Sequence, residues 1–326
     1  MSVIRYLPIG GILVLLAACA GPAATFTPAP TATPTSAPTT APTAAPTPVP
    51  TEAPTATPDA CAAANLAVKN AGRITVGTDN PAFPPYFLAR DGGNTEPWDP
   101  EWGDPTTGKG FESAVAYAVA QQLGFDPAHV DWVVVPWTTS FAPGDKTWDF
   151  DLNETAYTTE RAQAVDFSDP YYYGNQTVIV AADGPFAGAA TIADLKAARL
   201  GAVVASTSYA AIENVIKPAP PISVYDTNDL AIQALTEVDP PQIDGIVVDL
   251  PTAFFIVNVQ TEGLKIVGQL GPETGAQPEQ WGLLLQKDSA LTPCINVAMA
   301  ALTADGTLAA LVDTWLEDKD VPQIQP

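Results

Sequence analysis

Between Ala20 and Ala60 every residue is Ala, Pro or Thr except Gly21, Phe26, Ser36, Val49, Glu52 and Asp59. A stretch so poor in large apolar side chains has nothing to bury. Its prolines favour extended polyproline II at ~3.1 Å per residue, which predicts a semi-rigid stalk whose threonines are candidate carriers of O-linked sugar. Folding is thereby confined to Cys61–Pro326, enough chain for one large or two moderate domains with a sizeable core.

Ahead of the stalk, Arg5 precedes an apolar run from Ile9 to Leu16 that ends in Leu16-Ala17-Ala18-Cys19. The run is short of the ~20 residues that span a bilayer as a helix. It reads as a bacterial lipoprotein signal over residues 1–18, cleaved so that Cys19 carries lipid and becomes the only membrane anchor. The alternative is an ordinary signal peptide in which Cys19 is coincidental. Cys61 and Cys294 stand near the two ends of the folded part, the arithmetic of a single disulfide in an oxidising compartment, with two unpaired buried thiols as the alternative. The one histidine, His129, has no cysteine or histidine at ligand spacing and reads as a surface residue, so no metal site is expected. The formal charge of −23 argues against nucleic acid or an anionic membrane surface as partner.

Strand and helix patterns alternate through the folded part. Arg73–Thr78 is a short β-type run followed by the Pro- and aromatic-rich Pro81–Phe87, which is no helix. Gly110–Leu123 reads as an Ala-rich helix closed by Gly124. Trp132–Val135, Val178–Ala182, Leu200–Val204 and Ile246–Val248 read as buried strands, and Thr191–Leu195 as a helix opening on a capping box. Ile295, Met299, Leu302, Leu308, Leu311, Val312 and Trp315 trace an amphipathic helical region broken at Asp305-Gly306. The pattern is α/β with mostly parallel sheets.

In open α/β sheets ligands collect where strands end. Asp79 follows the first strand, Asp249 follows Ile246–Val248, and Ser206-Thr207-Ser208 follows Leu200–Val204. In Ala156-Tyr157-Thr158-Thr159-Glu160-Arg161, Thr158 as an N-cap puts Arg161 in a first helical turn, where the macrodipole disfavours a cation by ~0.3–1 kcal/mol. An arginine fork there suits a carboxylate. A surface ion pair with Asp166 or Glu160 is the alternative. Ser206 and Thr207 read either as donors to that same carboxylate or as plain N-caps. Asp79 and Asp249, acceptor-only groups suited to an ammonium, are otherwise cap or turn residues. A positive corner and a negative corner together describe a pocket for a zwitterion.

Taken in order, several short motifs resemble the polar amino-acid class of extracellular solute-binding proteins that serve ABC importers. They are Val76-Gly77-Thr78-Asp79 with Pro84-Pro85-Tyr86, Gly110-Phe111-Glu112 through Leu123-Gly124, Trp148-Asp149, Thr158-Thr159-Glu160-Arg161, and Val165–Tyr172. Further along come Asp244-Gly245 with Val248-Asp249, Trp281-Gly282-Leu283 and Ala304–Leu308 before Trp315, so the resemblance runs from Gly72 to Leu316. It implies a two-lobed type II periplasmic binding protein fold with two crossover strands. The first lobe would be 61–180 plus 281–326 and the second 181–280. It also implies that Arg161, with Ser206 and Thr207, clamps a ligand carboxylate while Asp249 and Asp79 take its amino group. Phe83, Tyr86 and Trp137 would form aromatic walls, and Asn153, Glu154 and Thr155 would line the side-chain pocket. A monomer working with importer membrane subunits, without cofactor, is the implied arrangement.

Three departures bear on the ligand. Asn80-Pro81-Ala82-Phe83 is one residue longer than the pattern before its aromatic, and Ala114 stands where an acid is common. Glu154 adds a carboxylate where many relatives are neutral; facing the pocket, it favours a cationic side chain such as that of arginine, lysine or ornithine. No His, Cys or Ser arrangement has nucleophile logic, so no catalytic residue is assigned. A periplasmic dehydratase-like enzyme and a ligand sensor are the alternatives that share this fold.

Overall fold

A computed structural model describes residues 60–238, 240–316 and 321–326. The expected signal, Cys19 and the stalk up to Asp59 lie outside the described residues.

Two five-stranded sheets each carry their own core. In the first, β1 (Ile74–Thr78) is buried along its whole length because it runs parallel between β2 (Val130–Val134) and β3 (Phe150–Asp151). The remaining strands, β4 (Val165–Phe167) and β12 (Leu284–Gln286), complete the order β2-β1-β3-β12-β4. Helix α1 (Phe111–Gln122) starts at Gly110, whose φ of 97° and whose missing Cβ, which would sit 2.4 Å from the Tyr86 carbonyl oxygen, leave only glycine. That approach lets the Phe111 N–H donate to Pro85 O and the Glu112 and Ser113 N–H groups to Tyr86 O. Two short helices, α2 (Trp137–Ser140) and α3 (Arg161–Ala164), sit at the cleft side of this lobe.

Crossing to the second sheet, β5 (Tyr172–Gly174) pairs antiparallel with β11 (Glu279–Trp281). Beyond them lie β6 (Gln176–Ala181), β7 (Leu200–Val203), β8 (Ser223–Tyr225), β9 (Gly245–Asp249) and β10 (Leu264–Gln269), in the order β10-β6-β9-β7-β8. Helices α4 (Thr207–Ala211), α5 (Asn228–Thr236) and α6 (Leu250–Phe255) each begin a few residues or fewer after a strand of this sheet, on an N-cap side chain from Ser206, Thr227 and Asp249. The chain then returns to the first lobe as α7 (Thr292–Ala304) and α8 (Thr307–Trp315), which bend by 73° at the expected Asp305-Gly306 break and pack on α1. Cys294, in the first turn of α7, is disulfide-bonded to Cys61.

Several expectations change. Each sheet is only half parallel: β2-β1-β3 and β8-β7-β9 are parallel, while β6 and β12, the strands fed by the crossover, run antiparallel to their neighbours. Thr191–Leu195 forms its capping-box bonds, Thr191 N to Asp194 Oδ2 at 2.9 Å and Asp194 N to Thr191 Oγ1 at 3.2 Å, but makes turns, not a helix. Strand β7 starts at Leu200, so the chain has no length in which to propagate it. Sheet membership also shifts the expected lobe boundaries. Gln176–Ala181 belongs to the second sheet, and Gln323 and Gln325 bridge to Gln269 and Thr191 of the second lobe, where Ile324 is buried in its core.

Candidate functional site

Between the sheets lies a cavity of about 110 Å³. From the first lobe it is lined by Asp79, Phe83, Trp137, Asn153 and Glu154, from the crossover by Glu279, and from the second lobe by Gln176 at the start of β6 and by residues of the β7, β8 and β9 ends. Those ends supply Val203, Ser206, Thr207, Ser208, Asp226, Thr227, Asn228, Val248 and Asp249. The strand-end logic therefore converges: Asp79 closes β1, Asp249 closes β9 and Ser206 follows β7.

Glu154 faces this cavity, in a left-handed backbone conformation with φ of 44° that side chains avoid. Its N–H donates to Glu112 Oε1 at 2.8 Å, and that same oxygen accepts the Tyr171 hydroxyl. Burial first, and then the neighbouring carboxylates Glu112, Asp249 and Asp79, hold the Glu154 carboxyl well above the usual range. Burial pushes Asp79 up to about 7 against the pull of a hydrogen bond from Asn153. Glu112 is also pushed up by burial to about 7, with the Tyr171 hydrogen bond opposing the rise. Behind this wall Asp151 is fully buried with no hydrogen bond to either oxygen, and its carboxyl is raised by burial and by Asp79 and Glu112.

On the second lobe, Ser206 Oγ accepts from Tyr209 N at 3.1 Å and donates to Val203 O at 2.7 Å, so N-capping is realised at the cavity's edge. Asp249 caps α6 through Thr252 N at 2.9 Å. Burial raises its carboxyl, opposed by the hydrogen bonds from Thr252 and Tyr86.

Three expected site residues are not on the wall. Tyr86 is buried, because the start of α1 clasps its carbonyl and turns its ring onto Trp281, 5.8 Å between centroids. Its hydroxyl instead crosses to the second lobe, donating to Asp249 Oδ1 at 2.7 Å and lying 2.9 Å from Thr252 Oγ1. Thr155 is buried, its hydroxyl spent on Asn153 O at 3.2 Å. Arg161 has Thr158 Oγ1 accepting from its N–H at 3.0 Å, as the capping argument requires. Its guanidinium lies beside the cavity, 5.2 and 4.5 Å from the ring centroids of Trp137 and Phe141. One arm donates to Ala156 O and the other to Ala205 O of the second lobe, both at 2.8 Å. Ala205 adopts φ of 56°, the strained turn that aims this carbonyl at the arginine. Asp166, the alternative partner, pairs instead with Lys287 at 3.2 Å. Trp137 adds a third crossing contact, Nε1 to Val204 O at 3.0 Å, so it is both cavity wall and tie between lobes.

Sequence reasoning missed Gln176, Asp226, Asn228 and Glu279. Asp226 directly follows Tyr225, the end of β8, and was open to the same strand-end rule. Glu279 sits two residues before the Trp281-Gly282 motif, but its approach to the cavity depends on the crossover geometry.

The arrangement is an acid-lined cavity between the lobes with the Arg161 guanidinium and hydroxyl groups at one edge, and comparison with known proteins decides its lineage. Residues 74–318 match the model for bacterial extracellular solute-binding proteins, family 3. The chain belongs to this family. It is 26% identical over 258 residues to the L-cystine-binding protein TcyJ of Escherichia coli strain K12, covering 76% of this chain and 84% of that one. With the arginine-binding extracellular protein ArtP of Bacillus subtilis it shares 24% identity over 222 residues, 68% of this chain and 82% of the relative. Among solved structures, an ancestral arginine-binding protein bound to arginine superposes with a TM-score of 0.58 at 25% identity, covering 76% of this chain and 99% of that one. Two lobes joined by the β5 and β11 crossovers are thus the type II periplasmic binding protein fold, and family members are extracellular binding proteins.

Proposed function

We propose that this chain is the ligand-capturing component of an ABC importer and that its ligand is a small amino acid with a cationic side chain. The observation that carries the reading is the cavity wall: it holds the carboxylates of Asp79, Glu154, Asp226, Asp249 and Glu279, and no lysine or arginine is among its lining residues. A low-dielectric chamber of one sign concentrates ligands of the other. The relatives' named ligands, cystine and arginine, are consistent with an amino acid. In this reading the ligand's carboxylate lies toward the Ser206, Thr207 and Arg161 edge. Closure follows from contacts that only the shut form makes, among them Arg161 to Ala205 and Tyr86 to Asp249. The protein delivers its ligand unchanged as a monomer, held by lipid on Cys19 at the outer face of the cell membrane, with the stalk giving reach to the importer's membrane subunits.

A thermal-shift screen of the common amino acids and polyamines, followed by calorimetry, tests this. Arginine, lysine or ornithine should shift the melting temperature most and be recovered chemically unchanged. Shifts from neutral or acidic amino acids with none from basic ones would overturn the charge assignment.

A further inference from the structure

Glu279 is a buried acid that adds to the charge of the cavity wall and has no individual contact assigned to it. It lies on crossover strand β11, opposite Gly174 of β5, and is 9% exposed. Trp281 Nε1 donates to its Oε2 at 3.2 Å, which orients the carboxylate, and Thr207 and Gln176 stand beside it as further hydrogen-bonding groups. The carboxylate lines the cavity, with Thr207 and Gln176 as polar neighbours and Asp249 close enough to act on its charge. Arg161 feels the charge of Glu279 as well. A buried carboxylate with no cation on the cavity wall beside it is costly unless something arrives to balance its charge.

Its neighbours say what that something is. In an α-amino acid the ammonium and carboxylate share one carbon, so the ammonium acceptors must adjoin the carboxylate donors. Glu279 adjoins Thr207 on the cavity wall and lies within electrostatic reach of Arg161, the two groups placed at the carboxylate edge, and within reach of Asp249 as well. Asp79 and Glu154 belong to the facing, first-lobe wall, where Glu112 backs Glu154, with Asp249 felt by Glu154 from across the cavity. Resting on the amino-acid reading of the site, we infer that Glu279 is the partner of Asp249 in receiving the ligand's α-ammonium, and that Asp79 with Glu154 is left to receive a second cation at the end of the side chain. The site then reads a ligand with two separated positive ends, and a residue of the hinge itself reads the end common to all amino acids.

A cycle between residue and ligand tests this. Affinity is measured by calorimetry for wild type and Glu279→Gln, each with the tightest-binding amino acid of the screen and with its des-amino analogue; for arginine that analogue is 5-guanidinopentanoate. Glutamine keeps an acceptor for Trp281, and the melting temperature of the ligand-free variant verifies the fold. If Glu279 reads the α-ammonium, the variant should bind the amino acid about 10-fold or more weaker yet bind the des-amino analogue almost as wild type does, a coupling of about 10-fold. The same variant should leave the preference for arginine over the isosteric, uncharged citrulline unchanged, whereas Glu154→Gln should collapse it. Equal losses for amino acid and des-amino analogue overturn the assignment of Glu279 while the amino-acid reading stands. Failure of every amino acid to bind wild-type protein overturns both.

Discussion

On the first lobe's side of the cavity, Asp79 and Glu154 are backed by Glu112 and by Asp151, neither oxygen of which is hydrogen-bonded. On the second lobe's side, Asp249 is held by the Thr252 N–H and the Tyr86 hydroxyl, and Ser206 by Tyr209 N and Val203 O. The second wall rests on local capping, from hydrogen bonds any strand-to-helix turn makes, with the Tyr86 hydroxyl as one added bond from the first lobe. The first is a set of acids raised first by burial, among which Asp79 and Glu112 raise Asp151 and Glu154 further, and whose charge has no counterpart within the cavity wall. The difference teaches that one wall fixes the common end of a ligand by geometry, while the other selects by charge and is unstable in its ionised form until a cation arrives.

The largest effect should come from Arg161, the group that joins the walls. Replacing it with alanine leaves the carbonyls of Ala156 and Ala205 without their buried donors, removes the stack on Trp137 and Phe141, and takes away the cation nearest the carboxylate edge. Losing a buried, hydrogen-bonded charge of this kind typically costs ~2–5 kcal/mol, so Arg161→Ala should weaken binding by about 100-fold or more in calorimetry. Near-normal affinity would break the idea that the two walls act through it. Lysine at the same position should recover only part of the loss, because one ammonium cannot reach both carbonyls in the fork's geometry.

Next in size is a pH dependence that belongs to the first wall. Asp79 and Glu112 are raised by burial from 3.8 and 4.5 to about 7, so the folded protein holds protons that the unfolded chain releases. Their contribution to stability is fully present below about pH 4 and is lost as pH rises through about 7. Without ligand, the melting temperature should therefore fall between pH 5 and pH 8, by about 5 °C for effects of this order. A saturating basic amino acid should reverse the trend, since its cation favours the ionised acids and its affinity rises over the same interval. Asp79→Asn should flatten part of the ligand-free slope. A ligand-free profile that is level across that range would remove the contrast between the walls.

What the sequence revealed follows the same division. Positions fixed by local rules were legible: β1 and α1 from their apolar patterns, the Asp305-Gly306 break, and Asp79, Ser206 and Asp249 from their place at strand ends. Positions fixed by the meeting of distant segments were not. Tyr86 carries the right side chain for an aromatic wall, but the clasp of its carbonyl by α1, a contact across a loop of more than twenty residues, turns it into a tie to Asp249. Glu279 reaches the cavity only because β11 pairs with β5, and the antiparallel runs of β6 and β12 follow from the same crossover. Short-range pattern cannot encode which two strands will form a hinge.

The smallest of the expected effects sharpens the comparison most, because Tyr86 is a first-lobe residue that completes the second wall. Its hydroxyl donates to Asp249 Oδ1 and lies beside Thr252 Oγ1, and the ring is buried against Trp281. Tyr86→Phe keeps the ring and removes one hydrogen bond to a carboxylate, worth ~1.5–3 kcal/mol in favourable cases and less where Thr252 N remains as a donor. Binding should weaken by about 3- to 10-fold, by the same factor for arginine, lysine and citrulline, because the lost bond supports closure and holds Asp249 without touching the ligand's side chain. Small-angle scattering of the ligand-free variant should show a larger radius of gyration than wild type if the bond favours the shut form. A loss confined to basic ligands would instead move Tyr86 to the charge-reading wall, and unchanged affinity would show that Asp249 is positioned from the second lobe alone.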